Sequence, residues 1–437
     1  MPEDNKLDQE PTDKRQFINE KIVKQPLSRR ELAGRAAVFA GFGAVFGVVA
    51  AVTFVLACPA LESCTGKEAD TEQTAVSIPR DEEVPPTTVV EEPSSEAPSE
   101  EPIEEQVEKA VAGYRFTIDD FRNIYAPLKQ TAADVDKSIV TVHSVRHETD
   151  WFNNPVENTG YYAGAVIAET GTEYLILTTE EAVTQADAIR VTFSDDTEVS
   201  GTKKQTDKVS GMSVISVSKA DVDNAMVEKV QVLPLGNSHQ MKMGDVVIAV
   251  GSPIGVVHSI DYGTIDYVAK NVAVADGSIR ILYTDASGNA EKGTFLMNLS
   301  GEIVGWVTTQ FANDNVKGTT AVVGISDYKG VIERMSNGMG TAYLGIKGQD
   351  ITRDMEAQGL PAGIYITEVV SGSPAYEAGI QNGDILTEIA GQKVSTVRNM
   401  QQIVEGLQTG STISVQVKRN GRDEYKELEY QVTVGAR

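Results

Sequence analysis

The chain has 437 residues, long enough for two or three domains, and its 63 acidic against 38 basic side chains give a net charge of −25. That balance argues against a phosphate backbone as partner, so no nucleic-acid binding is expected. Its two cysteines, Cys58 and Cys64, cannot staple the folded regions, and with no zinc-ligand spacing in the sequence neither a metal nor another cofactor is expected.

Residues 1–30 are polar and mixed in charge, and are expected to be a disordered cytoplasmic segment. From 36 to 57 no side chain is charged. Those 22 residues span roughly 33 Å as a helix, enough to cross a hydrocarbon core of ~30 Å. Ser28-Arg29-Arg30-Glu31 reads as a capping box, so one transmembrane helix is expected over 31–58. Lys21, Lys24, Arg29, Arg30 and Arg35 precede it, and Glu62, Glu68 and Asp70 follow. The positive-inside bias then gives a single-pass protein of the cell membrane with its bulk outside the cytoplasm. A buried core helix and a cleaved signal peptide are the competing readings, although the polar lead is long for a signal peptide. Val55-Leu56-Ala57-Cys58 fits a lipidation box poorly, and a Cys58–Cys64 disulfide or two free thiols suits the segment better.

Residues 59–112 form a linker rich in Glu, Pro, Ser and Thr, without aromatic residues between 63 and 110, and carry about half of the net charge. Such a stretch buries too little apolar area to offset its ordering entropy and is expected to be an extended spacer. Thr117-Ile118-Asp119-Asp120 starts a helix through about residue 129. Short strands follow at 138–145, 162–168, 174–178, 188–193, 214–217, 246–250, 279–283 and 303–308, with Ser300-Gly301-Glu302 as a hairpin turn. Strands so spaced indicate an all-β barrel or sandwich, here bounded at 113–335. A hinge-like stretch, Ser336-Asn337-Gly338-Met339-Gly340, leads into a compact unit at 341–437. In that unit Met400, Ile403, Val404 and Leu407 have helical spacing, and 415–417 and 429–434 read as strands.

Three stretches carry a resemblance. They are Thr178-Thr179-Glu180-Glu181-Ala182-Val183, Ser210-Gly211-Met212-Ser213-Val214 and Ala290-Glu291-Lys292-Gly293-Thr294-Phe295-Leu296. In order, they resemble the catalytic loops of the HtrA family of trypsin-like serine proteases, which read roughly T-N-x-H-V-V, T-D-L-A-V and G-N-S-G-G-P-L. Leu235-Gly236-Asn237-Ser238, the run Met243 to Gly255, Tyr262-Gly263-Thr264-Ile265, Thr284-Asp285-Ala286 and Gly301-Glu302-Ile303-Val304-Gly305 extend the likeness over 125–333. It implies a mainly β protein: a trypsin-like double β-barrel, then a PDZ domain of α+β type. The PDZ likeness rests on Tyr343-Leu344-Gly345-Ile346, on Gly372-Ser373-Pro374-Ala375 and on Gly383-Asp384-Ile385-Leu386. By that likeness the amides of Leu344, Gly345 and Ile346, next to Tyr343, would hold a peptide's C-terminal carboxylate. The peptide would add as a strand against Ile346, Met400, Ile403 and Leu407, an apolar stripe that reads equally as core.

The chemistry departs from the family. Glu181 stands at the histidine position, Gly211 at the aspartate position and Lys292 at the serine position. A serine protease needs a hydroxyl, a neutral imidazole and an orienting carboxylate. A carboxylate is too weak a base at neutral pH, glycine has no side chain, and Ala290-Glu291-Lys292 lacks the oxyanion turn. Ser287 lies nearby without a base, and His143, His147, His239 and His258 all fall outside the loop that supplies one. A Ser–Lys pair using Lys292 is a remote alternative. Glu181 and Lys292 are expected either to form an ion pair across the old cleft or to stand apart in solvent. The reading is an anchored, extracytoplasmic pseudoprotease that binds protein or peptide C-termini. Its rivals are an active serine-type endopeptidase and a structural protein whose PDZ domain mediates only self-assembly. The resemblance leaves a homo-oligomer open.

Overall fold

Two closed six-stranded antiparallel barrels lie in sequence, followed by a smaller sheet domain. The computed structural model describes residues 75–81, 115–149, 151, 155–222, 230–311, 318–422 and 424–437, all within one unit spanning Thr71–Arg437. The expected transmembrane helix, both cysteines and most of the linker lie outside the described residues. Among the described residues no helix is long and apolar enough to cross a membrane.

Helix α1 (Ile118–Asp136) starts at a Thr117–Asp120 capping box and runs past the expected end. The first barrel follows the order β1 (Ile139–Thr149), β2 (Pro155–Glu169), β3 (Glu173–Thr179), β6 (Met212–Ser218), β5 (Glu198–Asp207) and β4 (Ala188–Thr192). The second follows β10 (Thr294–Met297), β11 (Ile303–Val307), β12 (Thr320–Gly324), β9 (Gly277–Thr284), β8 (Ser259–Val274) and β7 (Val246–Gly251). Strand β3 explains the packing. Its side chains alternate, so Tyr174 and Ile176 fill the first barrel while Leu175 and Leu177 join a core shared by both barrels. The same core takes Ile248, Val250, Phe295 and Met297 from the second barrel, and Ala132 and Val135 from α1.

Helix α2 (Lys329–Ser336) closes the second barrel, and the 337–341 stretch leads on from it. The third domain pairs β13 (Ala342–Tyr343) with β20 (Gly435–Ala436). Its main sheet runs β14 (Ile346–Asp350), β15 (Ile364–Val369), β16 (Ile385–Ile389), β18 (Thr412–Asn420) and β19 (Tyr425–Thr433), with β17 (Gln392–Lys393) hairpinned to β16. Helices α3 (Arg353–Ala357), α4 (Pro374–Ala378) and α5 (Val397–Glu405) accompany it. Strand β14 forms one edge of this sheet.

One part of the expected spacer is not extended in solvent. Residues 75–81 dock on the second barrel, where the Val76 N–H and C=O bond the Asn337 side-chain amide at 2.9 and 2.8 Å. Val76 and Ile78, apolar residues in a polar linker, pack against the shared core, and Asp81 pairs with buried Lys329 at 2.9 Å. Arg80 reaches both Glu333 on α2 (3.9 Å) and Glu405 on α5 (3.6 Å), so this strap bridges the second barrel and the third domain.

Phe295 is fully buried in the shared core, opposite Trp306 and Val250 in register. Phe295→Ala is expected to cost about 3–5 kcal/mol, read from the urea midpoint of the barrel transition. A loss below about 1 kcal/mol would mean that the barrels do not depend on this core.

Candidate functional site

The three stretches that carry the resemblance do meet. The Glu180 N–H donates to the Gly211 carbonyl at 2.8 Å, the Ala163 N–H to the Lys292 carbonyl at 2.7 Å, and the Thr179 hydroxyl to the Glu291 carbonyl at 3.3 Å. Each position follows from its local structure. Glu181 sits exposed on the single 3-10 turn that ends β3. Gly211 lies in the β5–β6 turn at φ +69, a left-handed conformation that disfavours a side chain. Lys292 precedes β10.

None of the three positions holds the residue type that the family's chemistry uses there. The Lys292 N–H donates to the Asn289 side-chain oxygen at 2.9 Å, so the amide at the serine position is bonded within its own turn. Among the described residues no ion pair joins Glu181 to Lys292. The ammonium instead lies 4.5 Å from the ring centroid of Tyr162 on β2, whose π-face offers it a partner without an ion pair. Ser287 donates its N–H to Asp261 at 2.8 Å. Burial raises the Asp261 carboxyl, but hydrogen bonds from Ser287 and from the Tyr262 backbone together outweigh it and hold the group below the usual range, the wrong direction for a base.

The histidines are engaged elsewhere. His143 bonds Thr192 at 2.9 Å, and burial lowers its pKa. His147 pairs with Asp187 at 3.5 Å and His239 with Asp327 at 3.0 Å. His258 sits between Asp136 (3.1 Å) and the Thr141 hydroxyl (3.5 Å), a hydroxyl–imidazole–carboxylate line that the sequence did not reveal. The hydrogen bond to Asp136 raises the His258 pKa despite burial, and the line lies outside the loops that carry the resemblance.

The third domain holds the more developed site. The amides of Leu344, Gly345 and Ile346, expected to face a peptide's C-terminal carboxylate, converge here on the carboxylate of Asp276 of the same chain. Leu344 N–H donates to Oδ2 at 2.7 Å, Gly345 N–H to Oδ1 and Oδ2 at 2.9 and 3.0 Å, and Ile346 N–H to Oδ1 at 2.9 Å. The Asp276 N–H donates back to the Ile346 carbonyl at 2.7 Å. Gly345 is required here: its φ is +83, and a Cβ would collide with the Ser373 side chain. Asp276 lies with Ala275 in the tight β8–β9 turn and is buried. Burial raises its carboxyl pKa, with the three amides and Arg437 pulling the other way. Arg437 stands 3.1 Å from Asp207 and donates to the Ala275 carbonyl at 3.4 Å. Asp207 in turn accepts the Ser210 N–H at 3.0 Å, just before Gly211. A continuous polar path therefore joins the two sites. Of the apolar stripe, Ile346, Met400 and Ile403 are buried in the third domain's core with Leu344, and Leu407 packs against it partly buried, while Tyr343 is partly exposed beside the turn.

The double barrel and the amide turn define a trypsin-like peptidase fold joined to a PDZ domain. Models of both families match: the trypsin-like peptidase domain over residues 163–305 and the PDZ domain over 342–429. The chain is 27% identical over 290 residues to the serine protease Do-like HtrA of Bacillus subtilis, covering 62% of this chain and 63% of that one. It is 30% identical over 277 residues to the putative serine protease HhoB of Synechocystis sp., covering 60% and 64%. It is 28% identical over 281 residues to a probable periplasmic serine endoprotease DegP-like of Pseudomonas savastanoi, covering 63% and 55%. The match thus spans less than two thirds of each of these relatives. The solved HtrA-type protease AlgW with tripeptide shares the fold at a TM-score of 0.51 and 22% identity, covering 72% of this chain and 97% of that one. The chain belongs to the HtrA family of trypsin-like serine proteases with a PDZ domain.

Because the His258 pKa is raised on folding, its pairing with Asp136 contributes fully below about pH 6.5 and fades as pH rises through the raised value. His258→Asn, which tolerates the left-handed backbone at φ +63, is expected to lower the melting temperature more at about pH 6 than at about pH 9. Equal losses at both would show that the charged pair contributes nothing.

Proposed function

We propose that this HtrA-family protein is a pseudoprotease: a membrane-anchored, extracytoplasmic scaffold whose PDZ domain binds protein or peptide C-termini as a sensor or adaptor. The observation that carries it is the Lys292 amide bonded to Asn289, in a cleft where Glu181, Gly211 and Lys292 replace the base, its orienter and the nucleophile. With the amide at the serine position already bonded, and with no imidazole or hydroxyl in the family positions, acyl transfer there lacks its nucleophile, its base and one of its oxyanion donors. The uncharged run at 36–57 and its basic lead support the anchor. The PDZ match and a structural relative solved with a tripeptide support peptide binding. The Tyr343–Ile346 turn would hold the terminal carboxylate, with Met400, Ile403 and Leu407 beside the ligand.

A second reading, an active endopeptidase of envelope quality control, draws on relatives that are named serine proteases. It requires displaced residues, of which Ser287 and the Thr141–His258–Asp136 line are the available ones.

The full chain in detergent, incubated with casein and with a serine-reactive phosphonate probe, separates the two. No cleavage and no labelling above a matched blank are expected. Cleavage that vanishes in Ser287→Ala or His258→Asn would overturn the pseudoprotease.

A further inference from the structure

The carboxylate turn of a peptide-binding domain is here filled by the chain's own β8–β9 hairpin, and the manner of filling is ligand-like. The Asp276 carboxylate takes all three amides of the turn, and both of its oxygens are used. The Asp276 N–H then bonds the Ile346 carbonyl at 2.7 Å, the backbone bond that an added strand would make at the free edge of β14. On the other side, the Ser278 N–H lies 3.3 Å from the Gln401 side-chain oxygen on α5, and Gly277 packs against the same side chain. The hairpin tip thus lies between β14 and α5, the space in which a peptide would lie.

We propose that Asp276 is a built-in ligand of the PDZ carboxylate turn, and that a foreign free C-terminus and the β8–β9 hairpin bind there in competition. This rests on the reading of the PDZ domain as a binder of C-termini. The class of ligand follows from the geometry: a free terminal carboxylate on an extended segment. At the turn itself the exchange is carboxylate for carboxylate, so the remaining contacts of the peptide decide the outcome. The hairpin has the advantage of being tethered, with an effective concentration on the order of millimolar. The strap and the Arg437–Asp207 pair add to that advantage, since both tie the PDZ domain to the barrels. A peptide therefore binds more weakly than its intrinsic affinity, by the fraction of molecules whose turn is vacant. A cleft of about 400 Å³, lined by Ser210, Gly211, Ala275, Tyr343 and Lys347 among others, opens beside the turn. It places the degenerate catalytic loop within reach of a segment entering there.

Two measurements on the full chain in detergent test this. The first is amide hydrogen exchange at Leu344–Ile346 in the unmodified protein, in Asp276→Gly and in Asp276→Asn. Both substitutions tolerate the left-handed backbone at φ +63, and circular dichroism melts check that each variant folds. Exchange at least about tenfold faster in the variants is expected; equal rates would overturn the internal ligand. The second is binding to an array of decapeptides with free C-termini beside their amidated forms. Affinity at least about tenfold higher in the variants, for free carboxylates alone, is expected. Equal affinity in all three proteins overturns the competition while leaving the PDZ reading intact. If no protein prefers a free carboxylate to its amide, even with faster exchange in the variants, the ligand class falls, and with it the reading of the domain as a binder of C-termini.

Discussion

A carboxylate without water must be hydrogen-bonded or paired, and Asp276 meets that requirement only through a turn 68 to 70 residues further along the chain. This one interaction fixes how the PDZ domain meets the second barrel. If the domains separated without a replacement ligand, the three amides and the carboxylate would each need water. The contact is therefore favourable only as a complete set. Asp276 is placed for it by the tight β8–β9 turn, whose strands belong to a closed barrel and cannot slide. Arg437 joins the set from the far end of the PDZ domain, close to both Asp276 and Asp207, so that the two acidic groups share one buried cation.

Retaining the trypsin-like fold without its triad has a packing explanation. The catalytic loops of such a fold are turns between strands whose apolar side chains form the core shared by both barrels. Met212 and Phe295 belong to that core, one residue after Gly211 and three after Lys292. Exchanging the side chains at 181, 211 and 292 alters little buried area, so nothing in the energetics forces the fold to change with them. The turns have instead taken structural bonds. Asn289 caps Lys292, Gly211 and Glu180 tie two loops together, and Trp306 donates its indole N–H to the Ser210 carbonyl at 3.3 Å.

The architecture was legible in the sequence because it rests on short-range signals. Apolar runs bounded by Gly, Asp and Asn turns located β1, β3, β4, β7, β9 and β11 closely, and Ser300-Gly301-Glu302 does turn β10 into β11. Strand β5 went unseen because Glu198–Asp207 is polar and mostly outside the core. Strand β10 was hidden inside a motif read for its chemistry, and helix α2 went unassigned, only its last residue, Ser336, falling in the hinge-like stretch. The replacements at 181, 211 and 292 were read from residue identity at aligned positions alone. Asp276 was not. An Asp-Gly pair at a hairpin turn looks the same whether its side chain faces water or another domain, and the amides that bury it are distant in sequence. The docking of residues 75–81 was missed for a similar reason: a brief apolar patch in an acidic linker signals nothing until the surface that receives it is known.

The two sites, separate in sequence, are joined in the fold by a chain of charged and polar groups. From the Leu344–Ile346 amides the contacts run to Asp276, through the Ala275 carbonyl to Arg437, to Asp207, and on to the Ser210 N–H beside Gly211. In a protease of this fold the last of these loops would orient the catalytic imidazole. Here its carboxylate at 207 is committed to a backbone amide and to a cation delivered by the PDZ domain. On the competition proposed above, a ligand that displaced Asp276 would loosen the hold on Arg437 and so change what Asp207 must satisfy. By linkage, whatever bound and rigidified the Ser210–Gly211 loop would tighten the hairpin in the PDZ groove with equal free energy. With Gly211 where the family carries its aspartate, this loop has no side chain of its own to hold, and its position is set by Asp207, Trp306 and Glu180 instead.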